Sequence, residues 1–334
     1  MDRAVIVDHL VKNFEVNEKG KGLIGTVRSL ISPKRRLVQA LKEISFSIKK
    51  GELVGFIGPN GAGKTTTLKI LSGILYPTIG YVQVNGFTPW ERKENFLKSI
   101  SLVMGQKNQL WWDLPAIETF ELNRAIYEIP ERTYKRSLDE LVTLLDVEDL
   151  LTVPVRRLSL GQRMRMELVA ALLHKPEVIF LDEPTIGLDL VGQQAVRDFV
   201  LDYNRKNEAT ILLTSHNMDD VSGICKRVIV IDDGSIIFDG KLEELTTHFA
   251  KEKSIKVYLS DGADVKKLES IGKVKRIRLP EVVISVPRAS AASAAAEILQ
   301  NFPVVDLTIE EESLDDIVRK VFQGGIKPFS TKNK

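Results

Sequence analysis

Apolar residues along this chain fall into short continuous runs and into stripes of helical spacing, and the two kinds of pattern alternate. The runs Leu53–Ile57, Ile100–Met104, 178–181 and 210–214 suit strands buried on both faces of a parallel sheet. Residues 4–7 read as a strand continued by 10–14, 41–48 as a half-buried strand with Ile44, Phe46 and Ile48 on one side, and 81–84 as a further strand before the turn Asn85-Gly86. From Thr67 the apolar positions Leu68, Leu71, Ile74 and Leu75 predict a helix. Between residues 116 and 158 the stripes Ile117, Phe120, Leu122, Ile126 and Leu138, Leu141, Leu144, Leu145 predict a helical block, divided at Pro130, that interrupts the α/β alternation. The runs 228–231 and 236–238, turned by Asp233-Gly234, form a hairpin pattern, and a helix over 241–249 follows.

After Lys251 the pattern changes to strand 255–259, helix 265–271, strands 274–279 and 282–286, helix 289–299, strand 304–309 and helix 314–322. The order β-α-β-β-α-β-α suits a small α+β domain of ferredoxin-like type. A second departure is the glycine-rich and basic segment 17–36, an insertion in which Leu23, Ile24, Val27, Leu30 and Ile31 suit a short amphipathic helix. A surface helix packed on the neighbouring sheet is the favoured reading; a basic face turned to lipid headgroups is the other.

Composition narrows the function classes. The chain has 334 residues, 43% hydrophobic and 28% charged, with a net charge of +2, so nothing argues for bulk nucleic acid as a partner. No window approaches the roughly 18 apolar residues that would span a bilayer, and the first residues lack the pattern of a secretion signal. The single cysteine, Cys225, excludes an internal disulfide and a multi-cysteine zinc site and reads as a small core residue. The expected compartment is cytoplasmic.

Candidate chemistry gathers at strand ends. Gly58-Pro-Asn-Gly-Ala-Gly-Lys-Thr65 lies between a predicted strand and a predicted helix, the setting of a phosphate-binding loop. Gly58, Gly61 and Gly63 let backbone N–H groups point at an anion, and the helix adds the positive end of its dipole. Lys64 can reach the β- and γ-phosphates, the Thr65 hydroxyl suits the shell of Mg²⁺, and Thr66 can add a phosphate contact. Gln106 stands at the end of a second strand, with Gln109 as its competitor, and His216 at the end of another. Asp182 and Glu183 close the run 178–181, where two adjacent carboxylates are costly without a metal, a proton or a cation nearby. Ser159 can cap the helix that follows it and leaves N–H groups near Gly161 to meet an anion. Trp111 and Trp112 read equally as a partner contact and as packing of the helical block.

From about residue 3 to 250 the chain resembles the ATP-binding subunit of an ABC transporter. Residues 58–65 match Walker A, Gln106 the Q-loop, Leu158-Ser-Leu-Gly-Gln162 the signature, 178–183 Walker B, Leu188-Asp189 the D-loop and His216 the switch histidine. The implied fold class is α/β, a P-loop NTPase of ABC type with an antiparallel β-subdomain and a helical subdomain, plus a small C-terminal α+β (ferredoxin-like) domain. The implied domains are an ATPase over 1–250, with insertion 17–36 and a helical subdomain over about 110–175, an accessory domain over 251–326, and a disordered tail over 327–334. ATP and Mg²⁺ are the implied cofactors. Two subunits would meet head to tail, so that ATP on one Walker A is covered by Ser159 and Gly161 of the other. The resemblance makes Glu183 the general base and His216 its catalytic companion at the γ-phosphate. It assigns Mg²⁺ to Thr65, Asp182 and Gln106, and further nucleotide contacts to Asn60, Gln162, Asp189 and Phe14, the last on adenine. One signature position departs from the family's Leu-Ser-Gly-Gly-Gln: Leu160 replaces the first glycine, which leaves room for slower hydrolysis.

Residues 58–65, the Gly187-Leu188-Asp189 turn and the stretch 308–317 resemble the ATPases of bacterial two-component exporters, and the overall sequence is most similar to a multidrug-exporter-like branch whose ATPase works with separate permeases. The implied function is export through separate integral membrane permeases, with the ATPase peripheral at the cytoplasmic face. An importer ATPase and a soluble ABC ATPase acting on ribosomes or DNA stand as alternatives, although the second carrier of nucleic-acid work usually has two cassettes, a long coiled coil or zinc cysteines.

Overall fold

The computed structural model describes residues 2–17, 35–105, 107–249, 252–260, 265–311 and 317. The chain divides into two compact units, Met1–Gly240 and Lys241–Ile326. The helix expected over 314–322 apart from Ile317, the tail 327–334, most of the insertion and Gln106 lie outside the described residues.

The first unit opens with β1 (Arg3–Asn17), β2 (Arg35–Lys49), β3 (Leu53–Ile57), α1 (Lys64–Leu71) and β4 (Ile79–Val84). Then come α2 (Glu94–Ser99), β5 (Ile100–Met104), α3 (Ala116–Ile126), α4 (Glu131–Leu144) and α5 (Leu160–Leu172). It closes with β6 (Val178–Asp182), α6 (Leu190–Asn207), β7 (Thr210–Ser215), α7 (Met218–Ser222), β8 (Arg227–Asp232) and β9 (Ser235–Lys241).

Two sheets result. One is antiparallel, in the order β2-β1-β4; β1 and β2 stay paired out to Asn17 and Arg35, residues that the sequence pattern assigns to the insertion. The other has the order β5-β6-β7-β3-β8-β9, with every pair from β5 to β8 parallel. Strands β3, β6 and β7 are buried along their whole length, as continuous apolar runs in a two-sided sheet must be. Asp233 and Gly234, both at positive φ (42° and 75°), turn β8 into β9 as a two-residue hairpin requires. One core joins the sheets around α1: Leu68, Ile70 and Leu71 pack with Phe56, Phe180 and Leu212 of the parallel sheet and with Leu10, Ile44 and Val82 of the antiparallel one.

In the second unit, α8 (Leu242–Phe249) precedes β10 (Glu252–Leu259), β11 (Lys273–Arg278), β12 (Glu281–Pro287), α9 (Ala291–Asn301) and β13 (Val304–Glu311). The division at Gly240 thus falls before the change of pattern after Lys251 and puts α8 in the second unit. The strands are ordered β11-β12-β10-β13 with antiparallel neighbours, the arrangement of the split β-α-β fold expected from the element order. Ile255, Val257, Val282 and Ile284 on one sheet face pack on Ala294, Ala295 and Ile298 of α9. The helix expected over 265–271 is instead a 3₁₀ segment, Val265–Ser270, serving as a short connector ahead of β11.

Phe180 is fully buried in the middle of the parallel sheet. Phe180→Ala should cost about 3–5 kcal/mol of stability, read as a fall in the denaturant midpoint with an unchanged slope.

Candidate active site

Each chemical group enters from the carboxyl end of a parallel strand. After β3 the chain curls through residues 58–63, and two of its glycines are required by close approach. A Cβ at Gly58 would lie 2.2 Å from the Ile231 carbonyl oxygen of β8. One at Gly63, whose φ is 111°, would lie 2.7 Å from Leu41 Cδ2 and 2.9 Å from the Ala40 oxygen of β2. Gly63 is the N-cap of α1 and no side chain caps that helix, so its first N–H groups face the loop interior, where an anion would accept from them. Asn60 and Gly61 are exposed at the tip, and Thr66 is half-buried.

Lys64 is buried, and its Nζ donates to the Gly58 and Pro59 carbonyls at 2.7 and 3.1 Å. Burial pushes the ammonium below its ordinary lysine value, while Glu183 and Asp182 pull it back up. A phosphate among these donors would supply the missing compensation.

The carboxylates at the end of β6 are held from two sides. Asp182 Oδ2 accepts from the Thr65 hydroxyl at 2.8 Å and Oδ1 from the Thr214 hydroxyl of β7 at 2.7 Å. Glu183 has φ of 52°, a left-handed conformation that costs about 1 kcal/mol or more in a residue with a side chain. Its N–H donates to both the carbonyl and the hydroxyl oxygen of Thr214 at 3.1 Å, which holds the conformation. Glu183 Oε1 then lies 3.6 Å from Lys64 Nζ and 3.2 Å from His216 Nδ1, at the end of β7. Lys64, Thr65, Asp182, Glu183 and His216 therefore form one constellation.

Ser159, Gly161, Gln162 and Asp189 form a separate group. They line a cleft of ≈ 710 Å³ between α4, α5 and α6, and none of the five residues above lines it. Ser159 caps α5 as its sequence context predicts, and the cap is reciprocal: Ser159 Oγ accepts from the Gln162 N–H at 3.2 Å and Gln162 Oε1 from the Ser159 N–H at 2.9 Å. A Cβ at Gly161 would meet only open space. Asp189 caps α6, its Oδ1 accepting from the Gly192 N–H at 2.8 Å. Gln162 and Asp189 thus use side-chain oxygens on their own helix ends. Phe14 lies on β1, paired with Val38, and the Lys12 ammonium sits 4.9 Å from its ring centroid.

Residues 41–186 match the ABC transporter family, and residues 251–310 match the C-terminal domain of EvrA-like ABC transporters. The ABC transporter ATP-binding protein NatA of Bacillus subtilis (strain 168) is 33% identical over 212 residues, which cover 64% of this chain and 86% of NatA. The chain belongs to the ABC transporter ATP-binding proteins. As a member of this ATP-hydrolysing family it is an ATP hydrolase. The methionine import ATP-binding protein MetN 2 of Enterococcus faecalis (strain ATCC 700802 / V583) is 32% identical over 223 residues, 66% of this chain and 64% of MetN 2. Among solved structures, a dimeric ATP-binding cassette in a post-hydrolysis state, bound to ADP and Pi, has the same fold, with a TM-score of 0.60 at 24% identity over 71% of this chain and 98% of that one.

The ATPase fold also recruits residues that sequence reasoning misses. Glu167 of α5 is buried; its Oε1 accepts from the N–H groups of Gln109 at 2.9 Å and Leu110 at 3.3 Å, and its Oε2 has no partner among the described residues. It clamps the segment after Gln106 to the helix that begins with the signature. Gln109 donates its side-chain amide to the Leu102 carbonyl at 2.6 Å and is committed to holding that segment on β5. Asp220 is a second buried clamp: it accepts from Thr185 at 2.5 Å, Ser215 at 3.0 Å and Arg197 at 3.0 Å, and so links the turn after β6, the end of β7 and α6. An acidic residue inside an apolar helical stripe was the available signal for Glu167; Asp220 carried none. Trp111 and Trp112 are not in the core but 51% and 49% exposed, with the Arg163 guanidinium 5.7 Å from the Trp112 ring. Cys225 is buried and free, as a small core residue would be.

Burial raises the Glu167 carboxyl above its ordinary value, outweighing the two N–H donors. A carboxyl with a raised folded pKa stabilises the fold below its unfolded pKa, and that contribution is lost as pH rises through the folded value. Glu167→Gln keeps an acceptor and cannot ionise. The melting temperature of the variant minus that of the parent should therefore climb as pH rises from the ordinary glutamate value through the raised folded one, whereas a pH-independent difference would remove the buried-carboxyl account.

Proposed function

We propose that this chain is the ATPase subunit of an exporter: it binds ATP with Mg²⁺, closes head to tail on a second copy, and drives substrate through separate membrane permeases from the cytoplasmic face. The observation that carries the hydrolytic part is the convergence of Lys64 and His216 on one oxygen of Glu183 at 3.6 and 3.2 Å. No described helix is long and apolar enough to cross a membrane, so on this reading the permeases supply the pathway.

The Thr65 hydroxyl and Asp182 carboxylate, 2.8 Å apart and both hard oxygen donors, suit Mg²⁺, and Gln106 would complete the protein's share of its shell. Mg²⁺ when bound would neutralise charge on the β- and γ-phosphate oxygens. Lys64 would exchange the Gly58 and Pro59 carbonyls for those oxygens. Glu183 would orient a water and take its proton as the water oxygen bonds to the γ-phosphorus and the bond to the bridging oxygen breaks, yielding ADP and phosphate. His216, donating from Nδ1 to Glu183, would hold the carboxylate in line. Phe14, Asn60, Gly61 and Thr66 would bind on the Walker A side. Ser159 and Gly161 would approach the nucleotide from the partner subunit; their placement with Gln162 and Asp189 around a cleft apart from Lys64 supports that division.

Export rests on the resemblance of the whole chain to exporter ATPases. Import is the second reading, favoured by the likeness to MetN 2. Co-expression with polytopic genomic neighbours should bring the chain into the membrane fraction and raise its turnover; vesicles of each orientation then report the direction of movement.

Glu183→Gln should retain ATP binding and lower turnover by about 10²-fold or more. Hydrolysis at the parental rate would remove the base assignment.

A further inference from the structure

Leu160 stands where the signature of the family has glycine, and its side chain is engaged. Gly187, on the turn between β6 and α6, has φ of +73°, and a Cβ there would lie 2.8 Å from Leu160 Cδ2. The leucine methyl therefore covers the Gly187 Cα from the first turn of α5, while 36% of the residue remains exposed. The turn it covers is stiff. The Ile186 N–H donates to the Glu183 carbonyl at 3.2 Å and the Leu188 N–H to the Thr185 carbonyl at 3.2 Å. The Thr185 hydroxyl is tied to buried Asp220 at 2.5 Å. At its two ends stand Glu183 and the cap Asp189, so a push on Gly187 is a push on a short lever joining the base to the start of α6.

We propose that Leu160 is a positioning residue: by packing on Gly187 of its own chain it locks the signature segment to the Glu183–Asp189 turn before any partner arrives. A glycine at 160 has no atom to reach Gly187, and its freer backbone would let the start of α5 move independently of the turn. With leucine, Ser159 and Glu183 of one chain move together, and a displacement of the helical block is transmitted to the base. This rests on the reading that Ser159 and Glu183 both act in hydrolysis, Ser159 at the partner's nucleotide.

The test uses the full chain with Leu160→Gly, Leu160→Met and Gly187→Ala, alone and with Gly187→Ala combined with Leu160→Gly. The first readout is amide hydrogen exchange over residues 186–189 without nucleotide, which needs no activity. Leu160→Gly should speed exchange there by about tenfold and leave the melting temperature unchanged, and Leu160→Met should restore protection. Gly187→Ala alone should disturb the start of α5, and Leu160→Gly in the same chain should relieve that disturbance, a non-additive pair. In steady state Leu160→Gly should lower kcat by about tenfold with little change in KM for ATP, the opposite sign from the slower hydrolysis that the departure from the family's glycine suggests. Unchanged exchange at 186–189 in Leu160→Gly, or additive effects of the pair, would overturn the proposal. Glu183→Gln tests the base separately: its retention of full turnover would remove the hydrolytic reading while leaving the exchange result as it stands.

Discussion

The arrangement of the first unit follows from the cost of placing two adjacent carboxylates at the end of a buried strand. Asp182 and Glu183 cannot sit there without donors, and two strands on one side of β6 deliver them: Thr214 within the adjacent β7 and His216 just after it, and Lys64 and Thr65 after β3, one strand further on. Parallel strands point their carboxyl ends the same way, so one sheet gathers residues more than a hundred positions apart into one constellation. The left-handed backbone at Glu183 is sustained by the paired acceptors on Thr214.

Two buried acidic side chains keep the surrounding loops in register. Glu167 holds the segment after Gln106 by two backbone N–H groups, and Asp220 gathers Thr185, Ser215 and Arg197. Removing one partner from such a group leaves a buried charge uncompensated, which costs more than the contact itself contributes. Close approach does similar work around the glycine-rich turn after β3, where β2 and β8 leave no room for a Cβ at Gly63 or Gly58.

Among its described residues the second unit contains none of this chemistry. Its apolar face packs on α9, and its other face is laced with pairs such as Lys256–Glu310 and Arg276–Glu281. Exposed pairs of this kind contribute up to about 1 kcal/mol each, so the fold of this unit rests on its own core.

Periodicity and punctuation alone determined the strands of both sheets, the glycine-rich turn between β3 and α1, the helical block and the split β-α-β order, because each is written in local patterns of apolar residues, glycines and prolines. Local spacing also revealed the Ser159 cap, whose partner lies three residues away. What tertiary structure decided were contacts between residues distant in the chain: Glu167 with Gln109 and Leu110, Asp220 with Arg197, Leu160 with Gly187, and the exposure of Trp111 and Trp112. It decided as well that Gln162 and Asp189 spend side-chain oxygens on helix ends and that 265–270 tightens to a 3₁₀ turn. A residue's own pattern says whether it is buried or capped nearby; which distant group it meets depends on how the sheets and helices pack, and that no single stretch of sequence contains.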